Sequence, residues 1–120
     1  MENIKWIQWS DNAFTLSREL GKPILLSISA IWCHWCHVMD ENTYSDKSII
    51  RMINQNYIPV RIDTDRNPDI NSRYNTGGWP CVVFLTPSKD IITSTTYLPP
   101  DRMLKVITKI SELYTANTQE

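Results

Sequence analysis

The chain has 120 residues, of which 42% are apolar and five are tryptophan, enough material for the core of one domain over residues 1–120. Twelve basic and 13 acidic residues give a formal charge of −1, so nucleic acids and anionic membranes are excluded as expected partners. No apolar run approaches the roughly 20 residues of a membrane span. Three cysteines, an odd number, do not suit a secreted disulfide framework. We therefore expect a soluble, cytoplasmic protein and take it to be a monomer.

The first two elements are a helix and a strand. Ser10 can cap a helix that runs to Leu20, and Gly21 can end it in a left-handed conformation. The nearly continuous apolar run Ile24–Ala30 that follows is short enough for a strand. Because polar residues hardly interrupt it, we expect this strand to be buried on both faces of a sheet.

Two helices and a second strand come next. We expect one helix from Cys33 to about Glu41, and a second from Ser45 to Asn56 with Ser45 as its N-cap. The run Tyr57–Asp63 predicts a strand, and Pro59 indicates that this strand begins at a sheet edge or a bulge.

The last part of the chain predicts a short helix, a hairpin and a closing helix. Asn67 and the proline after it can begin a helix that ends near Tyr74. Residues 81–86 and 91–97 are rich in β-branched side chains and flank a turn sequence, which favours an antiparallel hairpin. A helix with regular apolar spacing follows Pro99, and we expect a frayed polar tail after Thr115. Alternating strands and helices predict an α/β fold, a three-layer α/β/α sandwich around a central mixed sheet.

Two cysteines separated by two residues follow the first strand directly, and this spacing fits three chemistries. Cys33 and Cys36 can interconvert with a disulfide, and together with His37 they also form the C-x-x-C-H pattern of covalent haem attachment. With His34 and His37 they offer four possible zinc ligands. Haem attachment requires export and room for a porphyrin, and four donors within five residues cannot converge tetrahedrally on zinc. Disulfide exchange without a metal or cofactor is therefore favoured.

Several motifs resemble the thioredoxin superfamily. The C-x-x-C pair between a strand and a helix, the Asn67–Pro68 helix start and the Gly-Gly-Trp-Pro turn at residues 77–80 are similar to thioredoxin. Cys-His-Trp-Cys-His-Val-Met at 33–39, Phe-Leu-Thr-Pro at 84–87 and Tyr-Leu-Pro-Pro at 97–100 resemble one branch, the thioredoxin-like domain of the spermatogenesis-associated protein family. The resemblance covers nearly the whole chain. It implies a thioredoxin-like fold and thiol–disulfide exchange with protein or small-molecule thiols and disulfides.

The position of the pair assigns a role to each thiol. A thiolate at a helix N-terminus is stabilised by unpaired backbone N–H groups, so Cys33 is predicted to be the nucleophile. Cys36, one turn further on, is predicted to resolve the mixed disulfide, and the resemblance implies the same roles. A protonated His34 would stabilise the thiolate and make the disulfide more oxidising. We expect Trp35 to tune the reaction with it, and His37 to contribute either by hydrogen bonding or by packing.

Tryptophans and a proline are the candidate substrate contacts. The resemblance implies that the Trp79–Pro80 peptide bond is cis and that Pro80 lies against the thiols. Trp32, Trp35 and Trp79 can together form an aromatic surface that docks a protein. This surface leaves open an alternative function, a non-catalytic thioredoxin-fold module that binds a partner protein or domain.

Three further features bear on the chemistry. Ser27 occupies the place where thioredoxin has a buried acid, and Arg61 the place of a lysine, so the proton of Cys36 must leave by another route. Cys81 follows Pro80 and could be a third redox thiol, but a buried strand residue is the favoured interpretation. The acidic residues near the end of the second strand lack a calcium-loop pattern and are expected in turns and caps: Asp63, Asp65 and Asp69.

Overall fold

The computed structural model describes residues 2–118, and they form a mixed four-stranded sheet between two layers of helices. The predicted order of helices and strands is confirmed. The elements are α1 (Asp11–Leu20), β1 (Ile24–Ser29), α2 (His34–Asn42), α3 (Lys47–Asn56), β2 (Ile58–Asp63), α4 (Pro68–Tyr74), β3 (Cys81–Leu85), β4 (Ile91–Thr95) and α5 (Pro100–Thr118).

The sheet has the strand order β2-β1-β3-β4. β1 pairs parallel with β2 and antiparallel with β3, and β3 pairs antiparallel with β4. β2 lies at an edge of this sheet, as Pro59 indicated, although Ile7 of the N-terminal segment forms an isolated parallel bridge to Val60 beyond it. The central place of β1 explains its continuous apolar sequence, because both of its faces are covered.

Side chains alternate between two cores along β1. Leu25 packs with apolar side chains of α2, α3 and α5, and we call this side of the sheet the α2 face. Leu26 packs with side chains of α1 and α4, on what we call the α1 face. The period of two in a strand sends neighbouring residues to opposite faces, which is why both helical layers find an apolar partner.

Capping explains where the helices begin, and one predicted cap is wrong. Ser10 caps α1 by accepting a hydrogen bond from the backbone N–H of Ala13, as predicted. α3, however, is capped by Asp46 and not by Ser45. The Asp46 carboxylate accepts two backbone N–H groups, whereas the Ser45 hydroxyl donates 2.6 Å to the carbonyl of Asp40.

Asn67 holds the predicted N-cap position of α4 but makes no side-chain cap bond. Its amide instead donates 3.1 Å to the carbonyl of Asp63. The hairpin of β3 and β4 is confirmed, with a register shift between Phe84 and Leu85. The tail was expected to fray after Thr115, but α5 continues to Thr118; residues 119–120 lie outside the described residues. No helix within residues 2–118 has the length and apolar character needed to cross a bilayer.

Candidate active site

The two neighbouring cysteines lie where the central strand β1 passes into helix α2. Cys33 is the N-cap of α2, in extended backbone conformation, so the predicted helix starts one residue later, at His34. The Cys33 sulfur accepts a hydrogen bond of 3.1 Å from the backbone N–H of Cys36. A sulfur held in this way by a free N–H group at a helix N-terminus is an environment that favours thiolate over thiol.

Both thiols are free and buried, and they pack with Ala30 in a small cluster that Trp79 covers. Burial raises the pKa of the Cys36 thiol to about 11, and the hydrogen bond with Cys33 acts in the same direction. The backbone of Ala30 and the side chain of Ser29 lower it in part. At neutral pH the Cys36 thiol therefore keeps its proton until another group takes it.

Two indoles are fixed beside the thiols by hydrogen bonds. Trp79 precedes Pro80, to which it is joined by a cis peptide bond, and its Nε1 donates 2.7 Å to the Thr64 hydroxyl. Trp32 Nε1 donates 3.0 Å to a carboxylate oxygen of Asp65. The two rings meet edge to face with their centroids 5.1 Å apart. Thr64 and Asp65, in the loop after β2, thus fix Trp79 and Trp32, two of the side chains that were predicted to contact the substrate.

An apolar surface surrounds the pair and is open to solvent. Trp32 is 58% exposed and Trp35 is 54% exposed, and Ile31 beside them is also exposed. Trp35 rests against Tyr97, with ring centroids 5.2 Å apart. Exposed apolar side chains in one patch are typical of a surface that binds another protein. We call Ile31, Trp32 and Trp35 the aromatic rim.

The two histidines have different surroundings. His34 is exposed in the first turn of α2, and its ring lies 5.6 Å from that of Trp35. His37 Nε2 lies 2.8 Å from the carbonyl oxygen of Ile31, so this ring holds the turn before Cys33 through a hydrogen bond. Within residues 2–118 no three side chains of His, Cys, Asp or Glu come together in a group that could hold a metal ion.

A charged pair lies next to Ser27 on the face of the sheet that α2 covers. The Arg61 guanidinium donates two hydrogen bonds to the Asp40 carboxylate, at 2.7 and 3.3 Å, and its Nε donates 3.3 Å to the buried Ser27 hydroxyl. Asp40 was not among the sequence candidates. Its distance of four residues from Cys36 on a helix was the available signal, since residues so spaced share one helix face.

Cys81 and the acidic residues have structural surroundings. Cys81 is fully buried on β3 within the core of the α1 face, which confirms the interpretation as a buried strand residue. Asp63 accepts the backbone N–H of Arg66 in a turn, and Asp69 lies in the first turn of α4. Asp65, which binds Trp32, has a role that the sequence did not indicate.

The model of the family described as "Thioredox_DsbH: Protein of unknown function, DUF255" matches residues 1–120. The chain belongs to this family. Spermatogenesis-associated protein 20 of Mus musculus is 37% identical over 106 residues, and the match covers 82% of this chain but 13% of the mouse protein. The resemblance to the spermatogenesis-associated branch is thereby confirmed.

Other relatives carry names from disulfide chemistry. The thiol:disulfide interchange protein DsbD of Campylobacter jejuni (strain RM1221) is 33% identical over 90 residues, covering 72% of this chain and 16% of DsbD. This chain therefore spans a small fraction of the length of each of these two relatives. Among solved structures, a DsbH oxidoreductase superposes with a TM-score of 0.81 at 18% identity, covering 92% of this chain and 86% of that one. A thioredoxin from Thermus thermophilus gives 0.79 at 20% identity, with 92% and 88% covered. The fold is thioredoxin-like.

Proposed function

We propose that the protein is a thiol–disulfide oxidoreductase in which Cys33 attacks and Cys36 resolves. The observation that carries this proposal is the Cys33 sulfur at the N-terminus of α2, hydrogen-bonded to the N–H of Cys36. The Cys33 thiolate attacks a substrate disulfide, forming a mixed disulfide and releasing one substrate thiolate. The Cys36 thiolate then attacks Cys33, forming the Cys33–Cys36 disulfide and releasing the second substrate thiolate. Each released thiolate takes up a proton, and the substrate gains the two electrons that the cysteine pair loses.

The neighbouring residues are proposed to serve this exchange. His34 and Trp35, in the first turn of α2, tune the stability of the thiolate, and His37 fixes the turn before Cys33. Trp32, Trp79 and Pro80 are proposed to contact the substrate, since the two indoles flank the thiols and are fixed from behind. Relatives and neighbours named as a thiol:disulfide interchange protein and an oxidoreductase support the assignment of the chemistry.

The proposed substrates are protein or small-molecule thiols and disulfides. The aromatic rim favours protein substrates, because exposed tryptophans provide large contact areas that lose little side-chain entropy on binding. From composition and charge we further propose a single domain that works as a cytoplasmic monomer, without a cofactor and without nucleic acid or membrane as partner.

Single cysteine variants test the proposal. With a model disulfide, Cys36→Ser is expected to accumulate a mixed disulfide on Cys33, because the resolving thiol is gone, and mass spectrometry would locate it. Cys33→Ser is expected to exchange no faster than the Cys33→Ser/Cys36→Ser double variant. Cys81→Ser, which changes a buried thiol on the α1 face, is the matched control and should exchange as the wild type does. A wild type no faster than the double variant would contradict the proposed activity.

The aromatic rim also favours a second candidate function, a non-catalytic module that docks a partner protein. Under this alternative the cysteines contribute only packing, and the double serine variant would replace the wild type in its host without loss. Loss of function in that host when both cysteines are changed, with folding intact by circular dichroism, would reject the binding module.

A further inference from the structure

The tryptophan before Pro80 packs against two parts of the molecule at once. Trp79 lies against the small cluster of Ala30, Cys33 and Cys36, and it also packs against the core of the α1 face. Its side chain is half-buried, so part of the ring is open to solvent next to the thiols. What a substrate meets at this place depends on how firmly the ring is held.

The Thr64 hydroxyl holds the ring at the indole nitrogen. Trp79 Nε1 donates a hydrogen bond of 2.7 Å to this hydroxyl, which in turn donates to Asn71 Oδ1 over a longer distance of 3.4 Å. Thr64 is itself buried, and its backbone N–H donates 2.9 Å to the carbonyl of Ser29, the last residue of β1. The indole is therefore tied to the end of the central strand.

A second set of hydrogen bonds holds the backbone before Trp79 without using the indole. The backbone N–H of Gly77 donates 2.9 Å to Asn75 Oδ1, and Asn75 Nδ2 donates 2.9 Å to Asn71 Oδ1. Because neither bond involves Thr64, loss of the Thr64 hydroxyl should release the ring of Trp79 and leave the path of the backbone in place.

The ring of Trp79 also supports the aromatic rim. Trp32, which directly precedes Cys33, meets Trp79 edge to face with the ring centroids 5.1 Å apart. A polypeptide on either side of a disulfide would cover the rim and Trp79 together, whereas a small disulfide has no chain that reaches across them. The position of one indole thus affects the whole apolar surface beside the thiols.

We propose that Thr64 is a positioning residue for polypeptide substrates: its hydroxyl holds the Trp79 indole beside the cysteine pair, so that a polypeptide disulfide meets a preformed apolar surface. The proposal rests on the proposed function, in which Cys33 attacks that disulfide. A ring that is already fixed loses little side-chain entropy when a substrate covers it, whereas a mobile ring must first be ordered. Thr64 acts through Trp79 and takes no part in the exchange itself.

Thr64→Val tests the proposal because it removes the hydroxyl and keeps a branched side chain of the same shape. The two probes are mixed disulfides of one chromogenic aryl thiol, the first with glutathione and the second with a long peptide that contains a single cysteine. In both, attack by Cys33 on the other sulfur releases the coloured aryl thiolate, the better leaving group, which stopped flow records.

We expect Thr64→Val to react about fivefold more slowly than the wild type with the peptide probe, since ordering one side chain costs about 1 kcal/mol. With the glutathione probe its rate should equal that of the wild type. Thr64→Ser keeps the hydroxyl and should restore the rate with the peptide probe, which a general loss of packing at this position would not allow.

A double-mutant cycle shows whether the effect passes through the indole. Trp79→Phe removes the N–H group and keeps an aromatic ring, so it should slow the reaction with the peptide probe at least as much as Thr64→Val does. Adding Thr64→Val to Trp79→Phe should cause no further loss, because the hydrogen bond is already gone. Trp79→Phe also tests the same bond from its other partner, should Thr64→Val fold poorly.

Thr86→Val is the matched control. The Thr86 hydroxyl likewise accepts hydrogen bonds, from the backbone N–H groups of Ser88 and Asp90. It lies at the other end of the sheet, because Leu85 before it pairs with Ile24 at the start of β1, whereas the thiols follow the end of β1. This variant should leave the rates with both probes unchanged.

Three results would overturn the positioning role while the exchange activity stands. These are a wild-type rate of Thr64→Val with the peptide probe, an equal loss with both probes, and a loss in the Trp79→Phe background as large as in the wild type. If the wild type releases no coloured thiolate from either probe, the proposed function fails and the positioning role with it.

Discussion

The two faces of the sheet differ in what their buried hydroxyls do. On the α1 face, the Ser17 hydroxyl donates to the carbonyl of Lys22, and the Tyr74 hydroxyl donates 3.0 Å to the carbonyl of Lys89. These hydroxyls satisfy backbone carbonyls that the helix end and the hairpin leave free. Folding alone explains their presence.

On the α2 face the hydroxyls of Ser27 and Tyr44 depart from this pattern. Tyr57 follows it, with a bond of 2.6 Å to the carbonyl of Ile107, whereas Tyr44 donates to no backbone carbonyl of a described residue and its ring lies 5.5 Å from the guanidinium carbon of Arg61. The cysteines differ too: Cys81 lies in the apolar core of the α1 face, whereas the Cys36 thiol interacts with Cys33 and with the side chain of Ser29. The comparison teaches that folding accounts for the Ser17 and Tyr74 hydroxyls of the α1 face, while the α2 face carries hydroxyls that packing does not require.

The first prediction is that both faces contribute equally to stability although their chemistry differs. Leu25 and Leu26 are neighbours on β1, both fully buried, and they enter the cores of the α2 face and the α1 face respectively. Changing either one to alanine should lower the free energy of unfolding by about 3 kcal/mol, through lost burial and the cavity that remains. Urea denaturation followed by tryptophan fluorescence measures this.

Thr96→Ala, in the segment after β4, is a control for the effect of substitution itself and should change the free energy of unfolding by less than about 0.5 kcal/mol. A loss below about 1 kcal/mol for one leucine and not for the other would show that one face is not a close-packed core.

The second prediction is that the stability of the reduced protein falls at high pH because of one thiol, that of Cys36. Burial raises the pKa of Cys36 from 9.0 to about 11, so the folded protein keeps this proton in a range where the unfolded chain has lost it. Between these values the unfolded state binds fewer protons, and the stability of the reduced protein therefore falls as pH rises. The contribution is fully present below pH 9 and is lost towards pH 11, with an upper bound of about 3 kcal/mol.

Denaturation curves of the reduced protein across this range would measure the slope. Cys36→Ser lacks the ionising thiol and should show a shallower fall, whereas Cys81→Ser serves as a second thiol variant on the α1 face. Buried Tyr57 also has a raised pKa and adds a fall of the same sign that remains in both variants. Equal slopes in the wild type and Cys36→Ser would show that Cys36 does not hold its proton more tightly in the folded state.

Most of the fold was predictable because the spacing of apolar residues along the chain and the positions of capping residues, glycine and proline indicate the same helices and strands. The apolar run Ile24–Ala30 could only be a doubly covered strand, and Ser10 and Gly21 marked both ends of α1. The cap of α3 was mispredicted because Ser45 and Asp46 are both good caps in adjacent positions. The choice between them depends on a tertiary contact, the hydrogen bond from Ser45 to the carbonyl of Asp40.

The cysteine pair was predictable from local spacing, but the groups behind it were not. The sequence showed that Ser27 could not act as a base, and its one signal for Asp40 was the spacing of four residues from Cys36 on a predicted helix. Arg61, Asp40 and Tyr44 come from a strand, a helix and a loop, and they meet only because β2 pairs with β1 in a particular register. Contacts of this kind depend on the assembled sheet and leave no periodic signal in the sequence.

The smallest expected effect on stability concerns the aromatic rim, which extends the α2 face to the surface. Trp35 and Leu113 are both 54% exposed, the first beside the thiols and the second on α5. Changing either to alanine should alter the free energy of unfolding by less than about 0.5 kcal/mol. Only Trp35→Ala should slow exchange with a protein disulfide, by roughly fivefold, as expected from the loss of about 1 kcal/mol of contact energy at an interface. Exchange with a small disulfide should stay unchanged in Leu113→Ala. In Trp35→Ala it reports only the effect of Trp35 on the thiolate, because a small molecule reaches Cys33 without covering the rim, so the loss with the protein disulfide should be the larger of the two. Equal rates of both variants with the protein disulfide would mean that the aromatic rim does not contribute to binding the protein substrate.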